Sequence, residues 1–330
     1  MIKVAINGFG RIGRSFTRAI QQHPNIELVA INDLADTLTL AHLLKYDSVH
    51  HAFNGEVSAS EKSLHINGHE IRVYSERDPN NLPWKELGID IVIESTGKFL
   101  TSELAHAHLN AGAKKVILSA PPKSDNIKTV VLGINDHIID GSETILSNAS
   151  CTTNAAAPLI KVLHDLYHIE SAYITTVHSY TSDQTLHDAP HRDLRRARAG
   201  ALSIIPTTTG AAKAITKIFP DLDGKLGGCG IRVPVPNGSL IDISVILKED
   251  TTVEAINQAF KEASQTYLKG ILQYTEDPIV SIDIVGNPHS CIFDADLTSI
   301  TGHMVKLVGW YDNEMGYSNR LADLIVTVSK

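Results

Sequence analysis

The chain has 330 residues, 43% of them hydrophobic and 20% charged, with a formal net charge of −8. That length can bury a sizeable core and exceeds what one domain usually needs, and the composition lacks the low-hydrophobicity, high-charge signature of disorder. A net acidic chain offers no global attraction to nucleic acid or anionic lipid, so an anionic ligand has to be met by a local cluster of positive groups. The three cysteines, Cys151, Cys229 and Cys291, are too few and too far apart for a disulfide framework or a CxxC metal site. Free thiols, a reducing cytoplasmic compartment and no metal are expected. No apolar run reaches the ~18 residues of a membrane span. The opening MIKVAINGFG has the character of a strand entering a glycine turn rather than of a secretory signal.

In chain order, residues 2–7 (IKVAIN) predict a strand, 11–23 a helix, 26–32 (IELVAIN) a second strand and 37–45 a second helix. Residues 51–74 alternate at period two around INGHE, which predicts an inserted hairpin. The apolar runs 90–96 and 114–120 predict strands, with a helix over 104–111 between them. Strands alternating with helices imply βαβ units and a parallel sheet. The texture changes after about residue 150. A helix over 152–167 precedes a strand over 170–180 and a basic, weakly structured stretch over 181–200. Segments 231–249 and 279–285 are strand-like with antiparallel alternation, and 314–329 is helical. The expected fold class is α/β: a Rossmann-type doubly wound parallel sheet, followed by an α+β domain with a mostly antiparallel sheet.

Gly8-Phe9-Gly10-Arg11-Ile12-Gly13 follows the first predicted strand and opens the first predicted helix. Glycines there let backbone N–H groups approach a pyrophosphate at the positive end of the helix. A GxGxxG alone is weak, but the second strand ends in Asn32-Asp33, and Asp33 lies 20 residues beyond Gly13. A carboxylate at that place accepts hydrogen bonds from an adenosine ribose and repels a 2′-phosphate. The combination predicts NAD as cofactor, with Gly8, Gly10 and Asp33 among its contacts.

Ser147-Asn148-Ala149-Ser150-Cys151-Thr152-Thr153-Asn154 stands directly before AAAPLIKVLHDLYH. Ser150 and Thr152 are N-capping types, and Pro158 is tolerable in first helical turns. Cys151 then sits at a helix N-terminus, where the dipole favours thiolate and the N–H groups could stabilise an oxyanion. His178, ending a predicted strand, can serve as its base. The residues alone leave two readings open. Cys151 is either this nucleophile or a small buried hydrophobe, and His178 is one of 16 histidines. Cys229 and Cys291 read as structural.

A phosphorylated substrate needs converging donors, best from arginine, hydroxyl and backbone groups. Thr207-Thr208-Thr209-Gly210 before the helical AAKAITKIF, the basic run His191–Arg198, and Arg232 in IRVPVP all offer them. A solvated or subunit-facing surface for the arginines, and simple capping by TTTG, stay open beside that reading.

INGFGRIGR, INDL, AHLLKYDS, ESTGKF, AGAKKVILSAP, SNASCTTN, TTVHSYTSDQ, DLRRARAGALSIIPTTTGAAKAI, RVPVPN and WYDNEMGYSNR, in this order, closely resemble the phosphorylating glyceraldehyde-3-phosphate dehydrogenases. The resemblance covers essentially the whole chain, and SNASCTTN with SIIPTTTGAAKA is its most specific part. It implies an NAD-binding domain over 1–149 completed by 313–330, a catalytic domain over 150–312, and a homotetramer with an interface loop over about 181–203. It also implies oxidation of glyceraldehyde 3-phosphate to 1,3-bisphosphoglycerate with inorganic phosphate, in glycolysis or gluconeogenesis. Cys151 matches the nucleophile and His178 its base. Thr181, Asp183 and Arg232 match the site of the C3 phosphate. Ser150, Thr152, Arg196, Thr209 and Gly210 match the region taking inorganic phosphate. Arg11, Ile12, Asp33, Arg77, Ser119 and Asn313 match cofactor contacts, Asn313 at the nicotinamide amide.

Three positions depart from the family pattern. Ala155 stands where a second cysteine is usual. Gly238 stands where valine is common, which is expected to loosen a strand. Ala189-Pro190 replaces a frequent Leu-Pro, placing more of the discrimination against NADP on Asp33. Two rival readings are an erythrose-4-phosphate dehydrogenase, disfavoured by the intact TTTG, and a non-catalytic nucleotide-binding relative, disfavoured by the retained Cys151 and His178. No main role in nucleic-acid or membrane binding is expected.

Overall fold

Residues 4–7 of the strand Ile2–Asn7 are buried without alternation, as expected of a parallel strand covered on both faces. It is a central member of a nine-stranded sheet in the computed structural model, which describes residues 1–330. Ile26–Asn32 pairs parallel on one side of it and Ile91–Glu94 on the other, so the strand order reverses there. Ligands of doubly wound sheets bind at the carboxyl ends of strands at such a switch point, and this strand's carboxyl end runs into Gly8. Lys115–Leu118, Ile145–Ser147 and Lys128–Thr129 extend the parallel part outward.

The expected hairpin over 51–74 is larger than that. Val57–Ala59, Ser63–Ile66 and His69–Tyr74 form an antiparallel meander, and its last strand joins the main sheet parallel to Ile26–Asn32. Contacts gather Met1–Leu132, Asp136–Ala149 and Ser318–Lys330 into one unit, and Gly133–Asn135 with Ser150–Tyr317 into a second.

The second unit is built on an eight-stranded sheet. Its long strands follow their sequence pattern closely. In Ser239–Leu247 every odd residue is buried and every even one half-exposed, the signature of a sheet covered on one face. The helix Cys151–Tyr167 buries Ala155, Ala156, Ala157, Leu159, Ile160, Val162 and Leu163. Each large aliphatic side chain so buried contributes about 1.5–3 kcal/mol. That helix lies against the strands Ile169–Ser179, Ser239–Leu247, Cys291–Asp294 and Met304–Tyr311. The mostly antiparallel sheet is as expected, with two parallel pairs in it: Ile169–Ser179 with Leu226–Val233, and Leu272–Thr275 with Cys291–Asp294.

Several sequence expectations need correction. Residues 279–285 form turns, not a strand, despite their alternation. Asp283 accepts the Val280 N–H on its carboxylate and donates its own N–H to the Val280 carbonyl, a local pairing that competes with a ladder. The true strand, Cys291–Asp294, is buried at every position and so shows no period. Segment 231–249 is two strands, and the first begins at Leu226 because the glycines at 227, 228 and 230 mask it. Pro158 lies in the interior of its helix, beyond the first turn, where its missing N–H removes one rung of the ladder.

Gly238 is not in a strand. It turns the chain between Leu226–Val233 and Ser239–Leu247 with φ +88°, and a Cβ there would stand 2.3 Å from the Ser281 carbonyl oxygen. The residue therefore permits a left-handed turn rather than loosening a sheet. Gly238→Val is expected to cost about 1–3 kcal/mol through strain at positive φ. Chemical denaturation of the two proteins checks this, and equal midpoints at equal slopes would refute it.

Candidate active site

In the first unit, Gly8, Gly10, Asp33 and Arg77 line one cleft of about 470 Å³, together with Asn7, Asn32, Leu34, Glu76, Ser95, Thr96, Lys98 and Phe99. The glycine turn is held closely from behind. Gly8 has φ +95°, and a Cβ on it would meet the Thr96 nitrogen at 2.8 Å. A Cβ on Gly10 would meet nothing within 4 Å, so this side of the turn is open for a ligand's close approach. Asp33 is oriented by the Phe9 N–H at 2.7 Å and the Ala35 N–H at 3.0 Å. Backbone donors at a helix start, open space at the turn and an oriented carboxylate fit the pyrophosphate and ribose of a dinucleotide.

The other expected cofactor contacts are placed differently. Arg11 and Ile12 open the helix Arg11–Ala19, and the Arg11 guanidinium is held on Asp47 at 2.6 and 3.2 Å. What Arg11 and Ile12 offer an anion is thus their place at the helix start rather than a free side-chain charge. Ser119 follows the strand Lys115–Leu118 and donates its N–H to the Glu94 carbonyl; it is not among the residues lining the cleft. Asn313 belongs to the second unit.

A buried polar network lies behind the cleft, and nothing in the sequence pattern announces it. Glu94 accepts from Asn7 at 2.6 Å, from the Thr96 N–H at 2.8 Å and from the Thr96 hydroxyl. His108 is 3.1 Å from Glu94 and takes the Trp84 indole N–H at 3.2 Å. The Trp84 donation makes Nδ1 of His108 an acceptor, so its Nε2 donates to Glu94.

In the second unit, Ser150 caps the Cys151–Tyr167 helix, accepting the Thr153 N–H at 3.1 Å, and Cys151 is the first helical residue. The Cys151 Sγ stands 3.5 Å from Nε2 of His178. His178 Nδ1 is 2.7 Å from the Ser179 carbonyl and 2.8 Å from Nη1 of Arg232, which also donates to that carbonyl at 2.8 Å. Nη1 reaches the Thr181 hydroxyl at 3.5 Å. Neither of the Arg232 hydrogen bonds, to the Ser179 carbonyl and the Thr181 hydroxyl, goes to a carboxylate, so its half-buried charge stands among neutral partners. Tyr311, which sequence reasoning did not single out, bonds Thr152 at 3.1 Å and Thr176 at 2.8 Å and sets its ring edge-on to His178 at 5.9 Å.

Electrostatics in this pocket run against the simplest expectation from a helix dipole. Burial pushes the Cys151 thiol up, while the Arg232 guanidinium and the Thr152 hydroxyl pull it back down. Burial and then the Arg232 charge hold His178 down at about 3, with Arg196 adding to the effect. His178 is therefore a neutral imidazole throughout the physiological range. With Nδ1–H on the Ser179 carbonyl, its Nε2 lone pair faces the thiol, the arrangement a base requires.

The other phosphate candidates form a second group. Arg196 pairs with Asp183 and donates to the Thr207 hydroxyl at 3.0 Å and to the Thr208 carbonyl at 3.4 Å. Asp183 cannot itself receive a phosphate, and the geometry makes it the holder of Arg196, with His191 at 3.5 Å on its other oxygen. The Thr209 hydroxyl accepts the Ala211 N–H at 3.3 Å, and Gly210 precedes the helix Ala211–Ile218 without a side-chain cap.

A dinucleotide-type cleft in the first unit and a cysteine–histidine pair beside a half-buried arginine in the second fit a nucleotide-dependent oxidoreductase. Residues 2–102 match the family model of the glyceraldehyde 3-phosphate dehydrogenase NAD-binding domain, and residues 150–313 that of the same family's C-terminal domain. The chain is 55% identical to the glyceraldehyde-3-phosphate dehydrogenase of Geobacillus stearothermophilus, over 99% of this chain and 98% of that one. It is 56% identical to the enzyme of that name from Thermotoga maritima over the whole of both chains, and 54% to that of Mycobacterium avium over 100% and 99%. The chain belongs to the glyceraldehyde-3-phosphate dehydrogenase family, and NAD is its cofactor.

Arg232 lowers the pKa of Cys151, so Arg232→Gln is expected to raise it. The rate of iodoacetamide alkylation, followed against pH, should then reach its midpoint at a more alkaline value in the variant. An unchanged midpoint would separate the two groups electrostatically.

Proposed function

We propose that the chain catalyses the phosphorylating oxidation of D-glyceraldehyde 3-phosphate to 1,3-bisphosphoglycerate in glycolysis or gluconeogenesis. The observation that carries the reading is the 3.5 Å pair of Cys151 and His178 at a helix N-terminus, beside a half-buried arginine whose hydrogen bonds go to neutral groups. The 52–56% identity to glyceraldehyde-3-phosphate dehydrogenases along their whole length adds to it. NAD would be held by Gly8, Gly10, Asp33 and Arg77 with the helix start at Arg11 and Ile12, and would supply the hydride acceptor. Ser119 and Asn313 would complete its contacts, Asn313 at the nicotinamide amide.

Cys151 attacks the aldehyde carbon and forms a hemithioacetal, its oxyanion met by backbone N–H groups at the start of the Cys151 helix. His178 takes the thiol proton, returns it to the hemithioacetal oxyanion to form the hydroxyl, and takes that hydroxyl proton again as the carbon gives up hydride and becomes a thioester. Arg232 and Thr181 hold the substrate's C3 phosphate, and Asp183 acts by fixing Arg196. Arg196, Thr209, Gly210, Ser150 and Thr152 receive inorganic phosphate, whose oxygen attacks the thioester carbon and expels the Cys151 thiolate. Conserving the oxidation as a thioester keeps it available to phosphate.

In this reading residues 1–149 with 313–330 are the NAD-binding domain and 150–312 the catalytic domain, bounds from which the two compact units differ at 133–135 and 313–317. The chain works in the cytoplasm; no helix is long and apolar enough to cross a membrane. It assembles as a homotetramer. In support, Leu186, Leu194, Leu202 and Ile204 are each more than two-thirds exposed within one loop region, as apolar side chains that meet another subunit would be.

The decisive test is NADH formation from glyceraldehyde 3-phosphate with and without inorganic phosphate, set beside erythrose 4-phosphate. Phosphate-dependent turnover on the triose is expected, and Cys151→Ser should abolish it while NAD affinity stays within about twofold. Substantial turnover by that variant would remove Cys151 from the mechanism. Leu194→Asp with Leu202→Asp should shift the light-scattering mass of the wild-type tetramer towards smaller species; a wild-type monomer would overturn the assembly.

A further inference from the structure

Asn313 leads into the C-terminal helix and is almost wholly buried, as are Ser179 and Ser239. Both serine hydroxyls donate to the Asn313 carbonyl oxygen Oδ1, each at 2.8 Å. The Ser239 hydroxyl in turn accepts the Ser179 backbone N–H at 3.1 Å, closing a triangle. Strand register builds it: Ser179 ends one strand, Ser239 begins its antiparallel neighbour, and Ser239 pairs with Tyr311, two residues before Asn313.

A side-chain amide has an acceptor end and a donor end that are nearly the same shape. Oδ1 is the only acceptor of either serine hydroxyl, so turning the amide over would leave two buried O–H groups without a partner, a costly state. Nδ2 makes no hydrogen bond within the protein, so the one face the amide presents is N–H.

We propose that Ser179 and Ser239 are positioning residues that lock Asn313 as a pure donor, which donates its Nδ2–H to a carbonyl oxygen on the cofactor and rejects an N–H there. This rests on the placement of Asn313 at the nicotinamide amide. A carboxamide meeting a freely turning asparagine can pair either way round; a locked donor leaves one orientation, and with it one face of the ring turned to the hydride donor.

Titration calorimetry with NAD and with ADP-ribose, which lacks the nicotinamide, tests the clamp. Ser179→Ala and Ser239→Ala are each expected to weaken NAD about threefold and together about tenfold, with ADP-ribose within twofold of wild type. NADH made by the double variant from 1-deuterated aldehyde should carry label on both ring faces. Unchanged NAD affinity and a single labelled face would overturn the proposal, as would equal losses of NAD and ADP-ribose. If the double variant does not fold, the two single variants carry the same comparison. Asn313→Ala separates the levels: if it too leaves the gap between NAD and ADP-ribose unchanged, the placement of Asn313 at the nicotinamide fails. If it closes the gap while the serine variants do not, only the clamp fails.

Discussion

The charge of Arg232 organises the second unit. A guanidinium mostly removed from water, hydrogen-bonded to a carbonyl and a hydroxyl and packed against the protonated ring nitrogen of His178, has no fixed counter-charge of its own. It therefore acts on whatever can change charge nearby, favouring the thiolate of Cys151 and opposing an imidazolium at His178. An anion completes such a site, whereas a permanent carboxylate partner would close it. The neighbouring arginine is treated in the opposite way. Arg196 is already paired with Asp183, so the two cations that lie within electrostatic range of each other are not equally unsatisfied.

This arrangement is made by sheet register. His178 stands directly opposite Arg232 in the parallel pair Ile169–Ser179 and Leu226–Val233, and Arg232 stands opposite Ile205, two residues before Thr207. Ser239 pairs with Tyr311 on the other side. A one-residue slip in any of these ladders would turn the inward set of side chains outward. The fully buried Ile174, Ile241 and Ile243 oppose such slips, because each would lose its apolar burial.

How much of this the sequence discloses depends on how local each feature is. The glycine turn and Asp33 are legible because their chemistry is carried by backbone and spacing within one βαβ unit. Ser150 as a cap is legible for the same reason. The partners of Cys151 are not: Tyr311 lies 160 residues downstream, and only the long-range pairing of strands brings it to Thr152 and Thr176. Alternation itself misleads where a side chain competes with the ladder, as Asp283 does, and falls silent where a strand is covered on both faces, as Cys291–Asp294 is. The direction of the thiol's shift is likewise invisible in sequence, since it is the balance between burial and a charge 81 residues away.

The same balance bears on how one imidazole can serve the proposed cycle. A base held at about 3 is a poor proton acceptor while the Arg232 charge stands uncompensated. A phosphate dianion on Arg232 cancels much of that charge for its neighbours, so His178 becomes easier to protonate when substrate is bound. In the proposed cycle the thiol would lose the same assistance on substrate binding, and its need for it ends once the sulfur is bonded to carbon in the hemithioacetal. In that reading Arg232 would favour the Cys151 thiolate before the substrate arrives and, with its charge offset by the substrate's phosphate, would leave His178 readier to take the next proton.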